Sequence, residues 1–178
     1  IVVTVFAFYY NPGLAGVLES FSQQELRYIV IPPPYTETLY FLILSNNAGA
    51  FWNPIHMVVW VPVLGTLILG VSLPVNGALI GVVATLVGIQ RGVAYPILGL
   101  VPHGIFEIPA FILEFASVIR WQVTSVEAIM AKVTGEKVDM AKFKLGVKDA
   151  VVLAVLSVAL FVIAAFVETY ITPRLLGL

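Results

Sequence analysis

The sequence predicts an all-α protein, a polytopic bundle of transmembrane helices. Of its 178 residues, 60% are hydrophobic and only 11% are charged, and the mean hydropathy of +1.03 lies far above that of soluble domains. The charges are also concentrated, so that residues 55–75 and 150–167 contain none. Apolar stretches of about 18 residues or more are long enough to cross a hydrocarbon core as helices.

The start of the chain combines an apolar stretch with a polar loop. Residues 1–10 are apolar and are expected to form the end of a longer first span. They do not resemble a signal peptide, because they lack its basic start and its small-residue cleavage site. Residues 11–37 contain consecutive prolines, one arginine and several glutamates, which indicates an external loop. Within it, the apolar side chains of residues 14–26 have helical spacing, which fits either an amphipathic helix lying on the membrane or a solvated connector.

The middle of the chain is almost continuously apolar and is punctuated by prolines and asparagines. These breaks predict a short element at 39–52, spans at 55–73 and 75–89, and a broken helix at 94–119. A last span is predicted at 150–170.

Residues 120–149 contain six of the nine Lys and Arg residues, and the positive-inside rule therefore predicts a cytoplasmic loop. Gly135 is expected to separate two amphipathic helices in it, the second of which leads into the last span. An odd number of crossings must connect the external loop with Arg120, so the four apolar segments between them cannot all cross. The short 39–52 element is predicted to be re-entrant or interfacial. The result is one membrane domain over 1–178 with about five crossings, a cytoplasmic N-terminus and an external C-terminus.

A polar stripe runs through the predicted 94–119 helix. His103 and Glu107 lie four residues apart and therefore share a helical face, which Glu114 and Ser117 extend. Ionisable groups at membrane depth cost several kcal/mol and usually face the bundle interior or a water-filled cavity. The stripe is therefore a candidate functional site, and the alternative is that His103 and Glu107 bond to each other around a broken backbone.

Two further sets of polar residues are candidates for the same intramembrane site. The amides of Asn46, Asn47 and Asn76 could line a cavity, bond across helices or cap broken helices. Glu168, near the outer end of the last span, is either a headgroup-level anchor or a partner for a histidine.

The sequence carries no complete catalytic or cofactor motif. It lacks cysteine and shows no HExxH, Walker or dinucleotide pattern, so no cofactor is predicted and a non-enzymatic role is favoured. His103 and Glu107 are candidate metal ligands, but a catalytic zinc needs three protein ligands. A net charge of −1 without a basic run argues against a nucleic acid partner.

Four motifs in a fixed order carry a family resemblance. They are NN at 46–47, NGxxxG at 76–81, PHGxxExPA at 102–110 and ExxxTP at 168–173. Over about residues 38–173 the chain resembles the stage II sporulation protein M family. The resemblance implies a five-span membrane protein with a cytoplasmic loop before the last helix. In spore-forming bacteria it implies a scaffold for peptidoglycan-degrading proteins during engulfment.

Three functions fit these observations. The first is a non-enzymatic scaffold or assembly factor in a prokaryotic cell membrane, whose partners are the lipid bilayer and either its own copies or other membrane and envelope proteins. The second is a small-solute transporter or channel that uses the polar cluster. The third is an intramembrane metal-dependent hydrolase in which His103 and Glu107 perform the chemistry.

Overall fold

The computed structural model of the protein describes residues 32–178, and within that range every regular element is helical. The predicted all-α class is confirmed. The predicted first span at 1–10 and nearly all of the predicted loop at 11–37 lie outside the described residues. The helices are α1 (Glu37–Asn47), α2 (Leu64–Arg91), α3 (Ala94–Val133), α4 (Met140–Phe166) and α5 (Thr172–Leu175). Two 3-10 turns, Gly49–Phe51 and His56–Trp60, connect α1 to α2, and a π-helical turn, Val167–Ile171, joins α4 to α5.

Three stretches of helix are long and apolar enough to cross a membrane. They are Leu64–Arg91 with 28 residues, Ala94–Val133 with 40 and Met140–Leu175 with 36. At about 1.5 Å per residue, the shortest is about 42 Å long, which exceeds a hydrocarbon core of about 30 Å. The expectation of membrane-spanning helices is therefore supported for the described part of the chain.

Helix α2 runs through Pro74 without interruption. The prediction of separate spans at 55–73 and 75–89 is therefore wrong, and residues 55–62 lie in turns that precede a single helix. A proline removes one backbone donor, but the remaining helical hydrogen bonds satisfy the backbone in a medium without water, so continuing the helix costs less than ending it.

Helices α3 and α4 form an antiparallel hairpin. The predicted break in the 94–119 segment is absent, because α3 continues through Pro102 and Pro109 as far as Val133. The predicted separation at Gly135 is confirmed. This glycine has a φ of 77°, a conformation that a residue with a side chain rarely adopts. Helix α4 then begins after Asp139, whose side chain accepts hydrogen bonds from the first turn.

Small and hydroxylated side chains hold α3 and α4 together. Ser117 Oγ donates to the Ala150 carbonyl oxygen at 2.7 Å, and Ser157 Oγ donates to the Ala110 carbonyl oxygen at 2.8 Å. Small residues let two backbones approach closely enough for such bonds, and close packing is what stabilises helix pairs in lipid. The two helices of the hairpin are therefore joined by direct bonds from side chains of one to the backbone of the other.

The segment from Tyr35 to Trp60 runs along this hairpin from one end towards the other. The Tyr35 hydroxyl donates to the Leu178 carbonyl oxygen at 2.7 Å, beside the end of α5. Farther along the chain, Ala48 packs in a core with Ala110 and Phe161. The segment therefore advances along the hairpin through α1 and the two 3-10 turns and does not form one continuous helix.

Candidate functional site

The polar stripe on α3 faces the interior of the bundle. His103, Glu114 and Ser117 are buried, and Glu107 is partly buried. Because these residues follow one another at intervals of three, four and seven, they occupy one face of the helix. Helix α3 packs against α4 and the π turn, and Glu107 on this face also contacts Asn47 at the end of α1.

Glu107 is the centre of a cluster that joins two helices. Asn47 Nδ2, at the last residue of α1, donates to Glu107 Oε1 at 2.8 Å. His103 Nε2 lies 3.7 Å from Glu107 Oε2, which is too long for a hydrogen bond but within the range of an ion pair. Asn46 Nδ2 lies 3.4 Å from Asn47 Oδ1 and extends the same group weakly.

Glu168 reaches this cluster from the π turn. The turn packs against both α1 and α3, and the Glu168 carboxyl lies within electrostatic range of the Glu107 carboxyl. A π turn inserts one extra residue into a helix and often occurs at functional sites. Asn47, His103, Glu107 and Glu168 therefore converge from three elements, and we call them the Glu107 cluster.

Asn76 lies outside the Glu107 cluster. It is exposed on α2, and its Nδ2 donates to the Ser72 carbonyl oxygen of the same helix at 2.9 Å. This bond engages the amide within its own helix.

A second polar group, which the sequence did not suggest, fixes the turns before α2. Gln122 Nε2 donates to the Val59 carbonyl oxygen at 2.8 Å, and Trp121 Nε1 donates to the Trp60 carbonyl oxygen at 2.9 Å. Turns leave carbonyl groups that need donors from elsewhere. The signal that could have found this contact is the adjacent Trp-Gln pair that follows the apolar part of a long helix.

The donor set of the Glu107 cluster is small. Across residues 32–178, no group of three or more His, Cys, Asp or Glu side chains is arranged so that it could hold a metal ion. His103 and Glu107, the candidate metal ligands, are 3.7 Å apart at their nearest side-chain atoms. The arrangement can accept, donate and hold protons, because it combines carboxylates, an imidazole and an amide.

Comparison with known proteins decides the family. The model of the stage II sporulation protein M family matches residues 1–173. The chain belongs to this family. It is also 32% identical over 141 residues to an uncharacterized protein of Methanocaldococcus jannaschii, an alignment that covers 75% of this chain and 70% of the relative. No solved structure matches the chain.

The Glu107 cluster contains residues from three of the four motifs by which the sequence resembles the family. Asn47 comes from the NN motif, His103 and Glu107 come from PHGxxExPA, and Glu168 comes from ExxxTP. These motifs are far apart in the sequence, and the fold brings their polar residues to one place. In this member of the family, the cluster is therefore the place where residues from separate sequence motifs come together in the fold.

Proposed function

We propose that this member of the stage II sporulation protein M family is a non-enzymatic, multi-pass scaffold or assembly factor in a prokaryotic cell membrane. The observation that carries the proposal is the outward face of α2. Leu67, Val71 and Val75, spaced four residues apart, are each more than half exposed. A long helix that packs so little against its own chain offers a lateral surface to lipid and to partner helices.

The contacts along the α3–α4 hairpin support a topology of about five crossings. Tyr35 lies beside Leu178, Asn47 contacts Glu107, and Trp60 contacts Trp121. Because α2 replaces the two spans predicted at 55–73 and 75–89, the segment 36–62 makes one discontinuous crossing in this topology, in place of the re-entrant or interfacial element expected at 39–52. Helices α2, α3 and α4 make three more. Residues 1–10, from their sequence, would supply the first.

The distribution of basic residues supports the orientation. Residues 120–149 contain Arg120 and five lysines, and they lie at the end of the hairpin away from Leu178. By the positive-inside rule this end is cytoplasmic. The N-terminus is then cytoplasmic and the C-terminus external.

The chemistry of the sequence supports a scaffold over the other functions. It contains no complete nucleophile, metal or cofactor motif, and its partners would be the bilayer together with further copies or other membrane and envelope proteins. Nucleic acid is not among them, because the net charge is −1. No observation of this kind supports the transport of a solute or the hydrolysis of a substrate.

Site-specific photocrosslinking in native membranes tests the scaffold. A photoreactive amino acid replaces Leu67, Val71 or Val75 on α2, and Val155 on α4 provides the control because it is equally exposed. The expected result is a discrete protein adduct from the α2 positions, several-fold stronger than from Val155. If the α2 positions react with lipid alone and the chain is recovered as a partnerless monomer, the scaffold proposal is wrong.

A further inference from the structure

We propose that an apolar groove at the basic end of the α3–α4 hairpin binds one anionic phospholipid. A hydrocarbon chain of the lipid fills the groove, and the phosphate group lies at its edge beside Lys144 and Lys148. The groove lies between the hairpin and the turns that precede α2, and we call it the Trp groove because Trp60 and Trp121 line it. This site goes beyond the scaffold role and does not depend on it.

The Trp groove has the size and the lining of a site for a hydrocarbon chain. Its volume is about 780 Å³, within the range of about 300–1,000 Å³ that is usual for ligand sites. Apart from Ser125, all the side chains that line it are aliphatic or aromatic. The indole N–H groups of Trp60 and Trp121 donate to the carbonyl oxygens of Ala50 and Trp60. The two rings therefore offer apolar surface to the groove.

The groove is open to the bilayer along α4. Val151 lines the groove and is 56% exposed, and Val155, one turn farther along the same face, is 63% exposed. Residues 150–167 contain no charge, and they belong to a stretch of helix that is long and apolar enough to cross a membrane. A lipid can therefore reach the groove sideways from the bilayer.

Two lysines precede these valines on the same face of α4. Lys144, Lys148, Val151 and Val155 follow one another at intervals of four, three and four residues, so they occupy one stripe of the helix. Lys148 lies about 10 Å from Val155 along the axis, at about 1.5 Å per residue. The stripe therefore changes from apolar to basic within the length of one lipid, and lysines at such a boundary attract anionic headgroups.

The acidic side chains near the groove are paired with other cations. Asp149 bonds to Arg120 at 2.9 Å, and Glu127 lies 3.0 Å from Lys142. Lys144 and Lys148 are exposed and form no salt bridge among residues 32–178. The charge at the edge of the groove is therefore complementary to a phosphate group, which favours an anionic lipid over a neutral lipid or an apolar helix as the occupant.

Ser125 places one polar group inside the groove. Its Oγ is buried and has no hydrogen-bond partner in the described part of the chain, although buried hydroxyls usually have one. Thr124 packs against Gly146, which puts Ser125 at the level of Lys144 and Lys148. The hydroxyl can donate a hydrogen bond to a phosphate or glycerol oxygen of a lipid at this level.

Quenching of tryptophan fluorescence by brominated lipids tests the site. The chain has three tryptophans, so Trp52→Phe leaves only Trp60 and Trp121. This variant, purified in detergent, is titrated with phosphatidylglycerol or with phosphatidylcholine that carries the same dibrominated chains. We expect saturable quenching by phosphatidylglycerol, with half-saturation at a concentration about tenfold lower than for phosphatidylcholine. The proposal is overturned if quenching does not saturate, if the two lipids quench equally, or if protein covers the groove and neither lipid quenches.

Two lysine variants of the Trp52→Phe protein test the position of the headgroup. Lys148→Gln should raise the half-saturating concentration of phosphatidylglycerol about fivefold and leave that of phosphatidylcholine unchanged. Lys137→Gln is the matched control, because Lys137 is exposed between α3 and α4 and does not line the groove. Equal shifts for the two variants would show attraction to the overall charge instead of binding at a site, which contradicts the proposal.

A third variant of the same protein tests the position of the hydrocarbon chain. Ala128 lines the groove, so Ala128→Phe should fill it and abolish the saturable quenching. Ala141→Phe, at an exposed position outside the groove, should leave the quenching unchanged. If Ala128→Phe melts at the same temperature as its parent and is quenched as strongly, the proposal is wrong. The comparison of the two lipids decides the matter if Ala128→Phe does not fold.

Discussion

Gly65→Ala is expected to lower the free energy of unfolding by about 3 kcal/mol, an effect at the upper end for overpacking. Gly65 lies in the first turn of α2, where an added methyl group would collide with the backbone carbonyl of Val59. Backbone atoms cannot rotate away as a flexible side chain can. The turn that ends at Trp60 would therefore have to separate from α2, and its bonds to Gln122 would weaken.

The matched control is Gly70→Ala, on the same helix. No atom outside the local helix lies near the position of its methyl group, and alanine favours a helix over glycine by about 1 kcal/mol. Thermal unfolding of the purified variants in detergent should show Gly65→Ala melting well below wild type and Gly70→Ala at or above it. Equal melting temperatures for the two variants would show that the Val59 carbonyl does not pack against Gly65.

Phe161→Ala is expected to have the largest effect of any single truncation among residues 32–178, about 3–5 kcal/mol, because Phe161 is the largest fully buried side chain in that range. Phe161 is fully buried between α1 and α3, where it packs with Ala48 and Ala110. Its ring also meets Phe111 edge to face, with centroids 4.9 Å apart. Removing it leaves a cavity that Ala48 and Ala110 are too small to fill, so α1 would detach from the hairpin.

Phe166→Ala, five residues later on α4, is the matched control. It also removes an aromatic ring, but without forming a buried cavity. Phe166 is 52% exposed and contacts Tyr170 in the adjoining turn, so its truncation opens no internal cavity and should cost far less. Denaturant unfolding in one detergent provides the comparison. A similar loss for the two variants would contradict the assignment of Phe161 to the core.

The sequence was sufficient to predict the class of fold and the break at Gly135. Unbroken apolar stretches predict helices wherever lipid is the solvent, and Gly135 predicts the end of α3 because its conformation disfavours other residues. The course of the chain through Pro74 was not predictable in the same way. A proline carries the same local signal whether a membrane helix ends or continues, and the difference depends on packing and on the surrounding medium.

Helical spacing predicted part of the Glu107 cluster. His103 and Glu107 share a face of α3 because they are four residues apart. The contact between Asn47 and Glu107 and the approach of Glu168 join residues that are far apart in the chain, so they depend on how α1 and the π turn pack. Asn76, of the same residue type as Asn47, instead bonds within its own helix.

The discontinuous crossing accounts for the position of the cluster. Helix α1 ends at Asn47, and the side chain of that last residue contacts Glu107. In the proposed topology the helix ends within the bundle because the following turns find their donors on α3, including Gln122. The end of α1 at Asn47 thus interrupts the proposed crossing and also places the Asn47 side chain beside Glu107.

Cysteine accessibility at Ile55 tests this arrangement most directly. The natural chain has no cysteine, and Ile55 is 80% exposed in the turns that follow α1. In intact cells, Ile55→Cys should be protected from a membrane-impermeant maleimide and react only after permeabilisation, as Lys137→Cys should. Val93→Cys, just beyond the other end of α2 and 72% exposed, should react without permeabilisation. If Ile55→Cys instead reacts in intact cells as Val93→Cys does, residues 36–62 do not cross the membrane and the proposed topology is wrong.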